Sequence, residues 1–270
     1  MKERISTVMG RFGRLSAGAS RRAVNSHTHK EATVLFHMGG AELVMRVHDR
    51  VYRFRQGDML MLDPWVPNAR NTVSNEASLV MSLLIDPQWL AGLTQSGPVK
   101  FKDIHASIPP ALEALAQTLW SEMFEGPAPR TAELQGRIES LIQAVVRSYT
   151  EPVEQATQRK ASADARVRQA FEDLRNSAIH GVKIEDLAAG SGMSRSHFFR
   201  QFKRCIGVSP QHVIDEERVA YALRALGSPN IMLSQLSEEL GFSAPAHFTR
   251  FFVQHLGYTP SQFKRNLLIV

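Results

Sequence analysis

The chain has 270 residues, 43% hydrophobic and 21% charged, with a formal net charge of +6 and a pI near 9.7. No apolar run approaches the ~18 residues of a membrane span. A single cysteine, Cys205, excludes an intrachain disulfide or a zinc site built on several thiolates, and the basic first segment (Lys2, Arg4, Arg11, Arg14, Arg21, Arg22) lacks the apolar core of a signal peptide. A cytoplasmic protein of two domains with an anionic partner and no membrane contact is the expectation.

Between about residues 24 and 86, the segments TVLFHM, ELVMRV, VYRFR and LVMSLLI alternate with Gly39-Gly40, Gly57-Asp58 and Pro64, a pattern of strands and turns. In HTHKE, residues His27, His29 and Glu31 alternate, so in a strand they share one face. Such a face suits metal ligands, polar contacts to a small effector, or ordinary strand and loop positions. Phe36 and His37 cannot both face inward. Trp65, within QGDMLMLDPWVPNA, is either a cover over a ligand or a hydrophobic plug.

After Pro87, the segments PPALEALAQTLWSEMF and AELQGRIESLIQAVVRSYT carry apolar residues three and four apart and predict helices within about 108–150. Leu134, Ile138, Leu141, Val145 and Tyr149 form one stripe, which packs either on the strand half or against a second copy as a homodimer seam. The polar run TEPVEQATQRKASAD lacks apolar periodicity. Residues 156–164 are placed there as a linker, between a domain of 1–155 and an all-helical one of 165–270.

The helical half repeats itself. GMSRSHFFRQFK, from Gly192, and GFSAPAHFTRFF, from Gly241, align with an offset of 49 up to Ser194/Ser243 and of 50 from His197/His247 onward. Each phrase follows a short apolar-patterned helix, giving two helix-turn-helix modules at about 184–205 and 233–255. Gly192 and Gly241 allow the tight turn, and Ser194 and Ser243 are the expected caps of the second helices. Phe198, Phe202 and Ile206 share a face and should be core. Ser196, Phe199, Arg200 and Lys203 form the opposite stripe, with Arg195 and Arg204 placed for phosphates or solvent. Phe199 suits a thymine methyl, or else packs on a neighbouring helix. Between the modules, PQHVIDEERVAYALRAL reads as one amphipathic helix ended by Gly227, Ser228 and Pro229. At about 1.5 Å per residue it spans roughly 25 Å, suited to holding two recognition helices about one DNA turn apart.

Residues from about 165 to 266, above all LSEELGFSAPAHFTRFFVQHLGYTP, resemble the DNA-binding domain of the AraC/XylS family of bacterial transcription regulators. The resemblance implies that Ser196, Phe199 and Arg200 face bases in one half-site, and Ala246, Thr249 and Arg250 in the other. It implies a fold of α+β class, with a cupin-like N-terminal β-barrel that binds an effector, flanked by helices, before the all-α domain. His27, His29, Glu31, His37 and Trp65 are the candidate effector contacts. Metal-dependent cupins place a further histidine where Asn68 stands here, so neither a metal nor another cofactor is expected. The reading is a sequence-specific regulator, activator or repressor, whose partners are double-stranded promoter DNA, a small-molecule effector and, in an activator, RNA polymerase. No nucleophile-base constellation, phosphate-cradling loop or HExxH helix points to an enzyme. The alternatives are a metal-dependent cupin enzyme with an accessory helical domain and a nonspecific nucleic-acid packaging protein.

Overall fold

Side-chain alternation sets the architecture of the first half. In β4 (Ala32–Gly40), Val34 and Phe36 point to one side while Thr33, Leu35 and His37 point to the other. Val34 and Phe36 join Met59 and Met61 of β7 (Asp58–Leu62) and Met81, Leu83 and Ile85 of β9 (Ser78–Ile85) in a core covered by α2 (Pro110–Phe124) and α3 (Thr131–Tyr149). Leu35, Leu60, Leu62 and Val80 face the opposite way, onto Leu43 and Met45 of β5 (Leu43–Val47) and Phe54 of β6 (Arg50–Phe54). One sheet therefore lies between helices and a smaller sheet.

The computed structural model describes residues 5–71, 76–93, 97–124, 131–153, 165–179, 181–228 and 230–270. Its first half also contains β1 (Ile5–Gly10), β2 (Gly13–Ser20), β3 (Val24–His27), β8 (Asn68–Asn71), α1 (Pro87–Leu93), β10 (Val99–Phe101), β11 (His105–Ser107) and β12 (Thr150–Pro152). The larger sheet runs β11-β7-β4-β9-β2-β1-β13, where β13 is Leu267–Ile269, and the smaller runs β3-β8-β5-β6. β10 and β12 form a separate pair. Among the described residues the two large sheets stack as a cupin-like sandwich rather than close into one ring.

Four sequence expectations need correction or completion. β1 and β2, rich in Ser, Gly and Ala, lie ahead of the segment read as strands. The stripe on α3 is consumed internally: Leu134, Ile138, Leu141 and Val145 are fully buried against the sheet and α2, which removes them as a homodimer seam. His29 and Glu31 are not in a strand, because β3 ends at His27 and the chain turns before β4. The polar run begins as β12 rather than as linker, and the predicted linker 156–164 lies outside the described residues.

The second half comprises α4 (Ala165–Ser177), α5 (Ile184–Gly190), α6 (Arg195–Ile206), α7 (Pro210–Leu226), α8 (Leu233–Glu239), α9 (Pro245–Leu256) and α10 (Pro260–Arg265). It has two cores, one per module. Phe198, Phe202, Val208 and Val213 pack with Val167, Ala170 and Leu174 of α4. Phe248, Phe252 and Phe263 pack with Leu223, Leu226, Leu236 and Leu240. The joining helix α7 departs from its amphipathic expectation. Buried positions run all round it, from Val213 and Ile214 through Glu216, Glu217 and Val219 to Ala222 and Leu226. It sits between both cores and the sheet domain, so it has almost no solvent face.

β13 pairs in parallel with β1, so the end of the helical half extends the sheet of the first. The β1-β2 turn depends on Gly13, with φ +121° and space for a Cβ only 2.2 Å from the Leu84 carbonyl oxygen. Gly13→Ala should lower the unfolding free energy by at least about 2 kcal/mol, combining backbone strain with a steric clash. Urea denaturation followed by circular dichroism measures this.

Candidate nucleic-acid interface and domain seam

The second helix of each module is set by the turn before it. In the first module Gly192 takes φ +66°, Ser194 Oγ accepts from the His197 amide at 3.4 Å, and α6 stops at Gly207 with φ +91°. In the second, Gly241 takes φ +75° and α9 stops at Gly257 with φ +81°. The N-cap of α9 is Ala244, which has no capping side chain, and Pro245 occupies the first turn. Ser243, the expected cap, instead bonds His247 Nδ1 at 2.8 Å. The inserted residue therefore lies between Gly241 and Pro245, where it displaces the serine from the cap position.

With Phe198 and Phe202 inward, α6 exposes Arg195, Ser196, Arg200, Lys203 and Arg204. Phe199 is half-buried: it packs on the first module's core, and the Arg195 guanidinium lies 5.2 Å from its ring centroid. Arg195 also pairs with Glu185 at 2.8 Å, which makes it a brace across the helix-turn-helix. On α9, Ala246 and Arg250 are exposed and Thr249 is half-buried. Arg200 and Arg250 occupy equivalent positions and have no protein partner among the described residues. Two cationic side chains thus stand free on matching faces, each on a helix whose other face is locked by aromatic packing.

The sheet domain meets both modules behind these faces. Lys30 Nζ and Arg175 Nε reach the two oxygens of Glu217 at 3.2 and 3.0 Å. Glu216 faces the Lys30 amide at 3.5 Å and His29 Nδ1 at 3.6 Å. Burial pushes the Glu216 carboxyl up to about 7, against the opposing pull of Arg14 and Lys30. Burial also pushes Glu31 up, helped by Glu216, and holds His29 down to about 4, helped by Arg14.

Trp65 adopts φ +66°, a region unfavourable for a bulky residue. Its amide donates to the His29 carbonyl at 2.7 Å and its ring stands edge-on to Phe171 at 5.6 Å. The ring packs, partly buried, against the first module's core. His37 is buried with its Nε2 2.8 Å from the Ala41 carbonyl, and Phe36 faces the helix side.

A cavity of about 100 Å³ lies between the two sheets and opens against the end of α9. His27 and His29 line it with Arg14, Asn68, His255 and Tyr258. Glu31, His37 and Trp65 are outside its wall, so the structure brings two of the five candidate effector contacts together there. Arg14 Nη1 is buried without a hydrogen-bond partner. Sequence reasoning missed Arg14, Lys30, Glu216 and Glu217. No local signal marked them, since β2 itself was not read as a strand and Glu216-Glu217 looked like any surface pair.

A sheet domain fused to two helix-turn-helix units on a shared linking helix defines the class of protein. A family model described as a helix-turn-helix domain matches residues 187–266. Probable transcription factor PqrA of Proteus vulgaris is 33% identical over 86 residues, covering 32% of this chain and 70% of PqrA. The Msm operon regulatory protein of Streptococcus mutans is 22% identical over 132 residues, 49% of this chain, and the match spans 47% of that relative. The apo form of a ToxT variant from Vibrio cholerae superposes over 98% of this chain and 97% of its own with a TM-score of 0.58 at 13% identity. Wild-type ToxT bound to an unsaturated fatty acid gives 0.53 at 11% identity over 97% and 94%. At such identities the likeness is one of fold. The chain belongs to the AraC/XylS family of transcription regulators.

The unequal caps give a direct expectation. Ser194→Ala should cost about 1 kcal/mol of stability, while Ser243→Ala should stay within about 0.5 kcal/mol of the parent. Paired urea titrations decide it.

Proposed function

We propose that this protein is a cytoplasmic, non-enzymatic regulator that reads promoter DNA through α6 and α9 and adjusts that reading to a small effector held at the domain seam. The observation that carries it is the pair Arg200 and Arg250, exposed and unpartnered on equivalent faces of two locked helices. An arginine so placed can give a bidentate contact to guanine O6 and N7, and the neighbouring Lys203 and Arg204 suit phosphates. The match to proteins named as transcription factors and operon regulators supports this reading. RNA polymerase is a further partner if the protein activates.

For the effector, the cavity beside Arg14 supplies the physical basis. A buried guanidinium N–H without an acceptor favours a ligand carrying a carboxylate or another acceptor group, with Leu35, Met45 and Leu60 offering apolar contact. That ToxT is described with a bound unsaturated fatty acid fits this chemistry. Because the cavity wall includes His27 from the sheet domain and His255, Leu256 and Tyr258 from the second module, a ligand there would favour one arrangement of the two over another.

The modules present unequal faces, with Ser196, Phe199, Arg200 and Lys203 on one and Ala246, Thr249 and Arg250 on the other. Arg200→Ala should weaken binding by about 1 to 3 kcal/mol and relax base preference in its half-site. Arg250→Ala should weaken binding with less loss of discrimination. Footprinting and competition titrations on fragments from the host genome, at fixed salt, test both. Equal loss of discrimination from the two variants would refute the asymmetry, and binding insensitive to sequence would favour nonspecific packaging.

A further inference from the structure

The seam contains a set of metal-type donors whose orientation follows from hydrogen-bond logic. His27 Nδ1 lies 2.7 Å from the Asn25 carbonyl oxygen, so this nitrogen carries a proton and donates. A neutral His27 then has Nε2 as an acceptor, and His29 Nε2, 3.1 Å away, must donate to it. The relay ends at His29 Nδ1, left with a lone pair and no proton. This atom is buried, has no hydrogen-bond partner, and faces Glu216 Oε2. Glu31 contributes a second carboxylate, whose Oε2 is also buried and unpartnered. One donor atom from each of His29, Glu31 and Glu216 lies within 4.8 Å of the others.

A lone pair directed at two carboxylates is repulsive unless a proton or a cation stands among them. The nearby cations do not fill that place. Lys30 is committed to Glu217, and Arg14 makes no ion pair with Glu31 or Glu216 among the described residues. We propose that His29, Glu31 and Glu216 bind one divalent transition-metal ion of the zinc class, which ties the sheet domain to the linking helix α7. One imidazole and two carboxylates are ligands zinc accepts, at about 2.0–2.2 Å, which places tetrahedral donors about 3.4 Å apart. The 3.6 Å between His29 Nδ1 and Glu216 Oε2 is already close to that spacing. His27 then acts as the outer partner that fixes the ligand's tautomer and ring orientation. Three protein ligands leave a coordination position for water or a small molecule.

This site differs from the His27, His29 and Glu31 set considered in the sequence, since His27 is not a ligand and the third donor comes from the helical half. It also stands apart from the regulatory reading, because its test needs no DNA. Full-length protein stripped with a chelator and then dialysed against Zn²⁺ should retain one equivalent by elemental analysis and melt several degrees higher, since the ion binds only the folded chain. Glu216→Gln keeps the side-chain shape and removes a buried charge. It should fold with a metal-free melting temperature at or above the parent's, yet bind Zn²⁺ at least about 100-fold more weakly. His29→Gln should do the same to binding, while His105→Gln, at a solvent-accessible histidine, should leave it unchanged. A wild-type protein that retains no stoichiometric Zn²⁺, variants at Glu216 and His29 that bind as the parent does, or displacement of Zn²⁺ by excess Mg²⁺ would each overturn the assignment.

Discussion

Two adjacent carboxylates, Glu216 and Glu217, are buried in the middle of the helix that joins the two helix-turn-helix units, and their charge must be met from outside that helix. Removing an ion from water costs several kcal/mol unless opposite charge and hydrogen bonds replace the lost solvent. Successive residues on a helix point about 100° apart, so the two carboxylates face different groups. Glu217 takes Arg175 from its own half and Lys30 from the sheet domain, and Glu216 turns toward His29 and the Lys30 amide. Neither half satisfies Glu217 alone.

That constraint explains features which look unrelated in isolation. Trp65 holds an unfavourable backbone conformation in which its amide donates a hydrogen bond to the His29 carbonyl and its ring meets Phe171. The strain is offset by the seam it closes. β13 crosses back to pair with β1, and the end of α9 packs on β3, so the sheet domain touches both modules from behind. The faces that carry Arg200 and Arg250 lie away from the seam and are exposed.

The sequence reading succeeded where the governing interactions are short in range. Phe198/Phe202 and Phe248/Phe252 repeat at helical spacing, and the faces opposite them follow without tertiary information. β4, β5, β6 and β9 are legible because apolar side chains alternate or cluster between turns. The seam is different: Lys30 and Glu217 are separated by 187 positions, and nothing local distinguishes their charges from those of a solvated surface. β1 and β2 were missed because Ser, Gly and Ala give a weak alternation. HTHKE was placed correctly as a cluster of polar groups but in the wrong conformation, since the turn after His27 brings His29 back to it, Nε2 to Nε2, at 3.1 Å.

The two phrases with which the helical half repeats itself are thus alike in what they bury and unlike in what they fix and expose. Both put two phenylalanines in a core and end at a left-handed glycine. In the first, Ser194 caps α6 and Arg195 braces α6 to Glu185 over the Phe199 ring, so the start of the reading helix is held by its own module. In the second, the inserted residue removes the serine cap, Pro245 starts the helix, and the far end of α9 is held by the sheet domain around His255 and Gly257. The first module meets the sheet domain through α4 and α7 instead, at Phe171, Arg175 and Glu217. The second module is thus coupled to the sheet domain through the far end of α9, the contact through which the proposed effector would act.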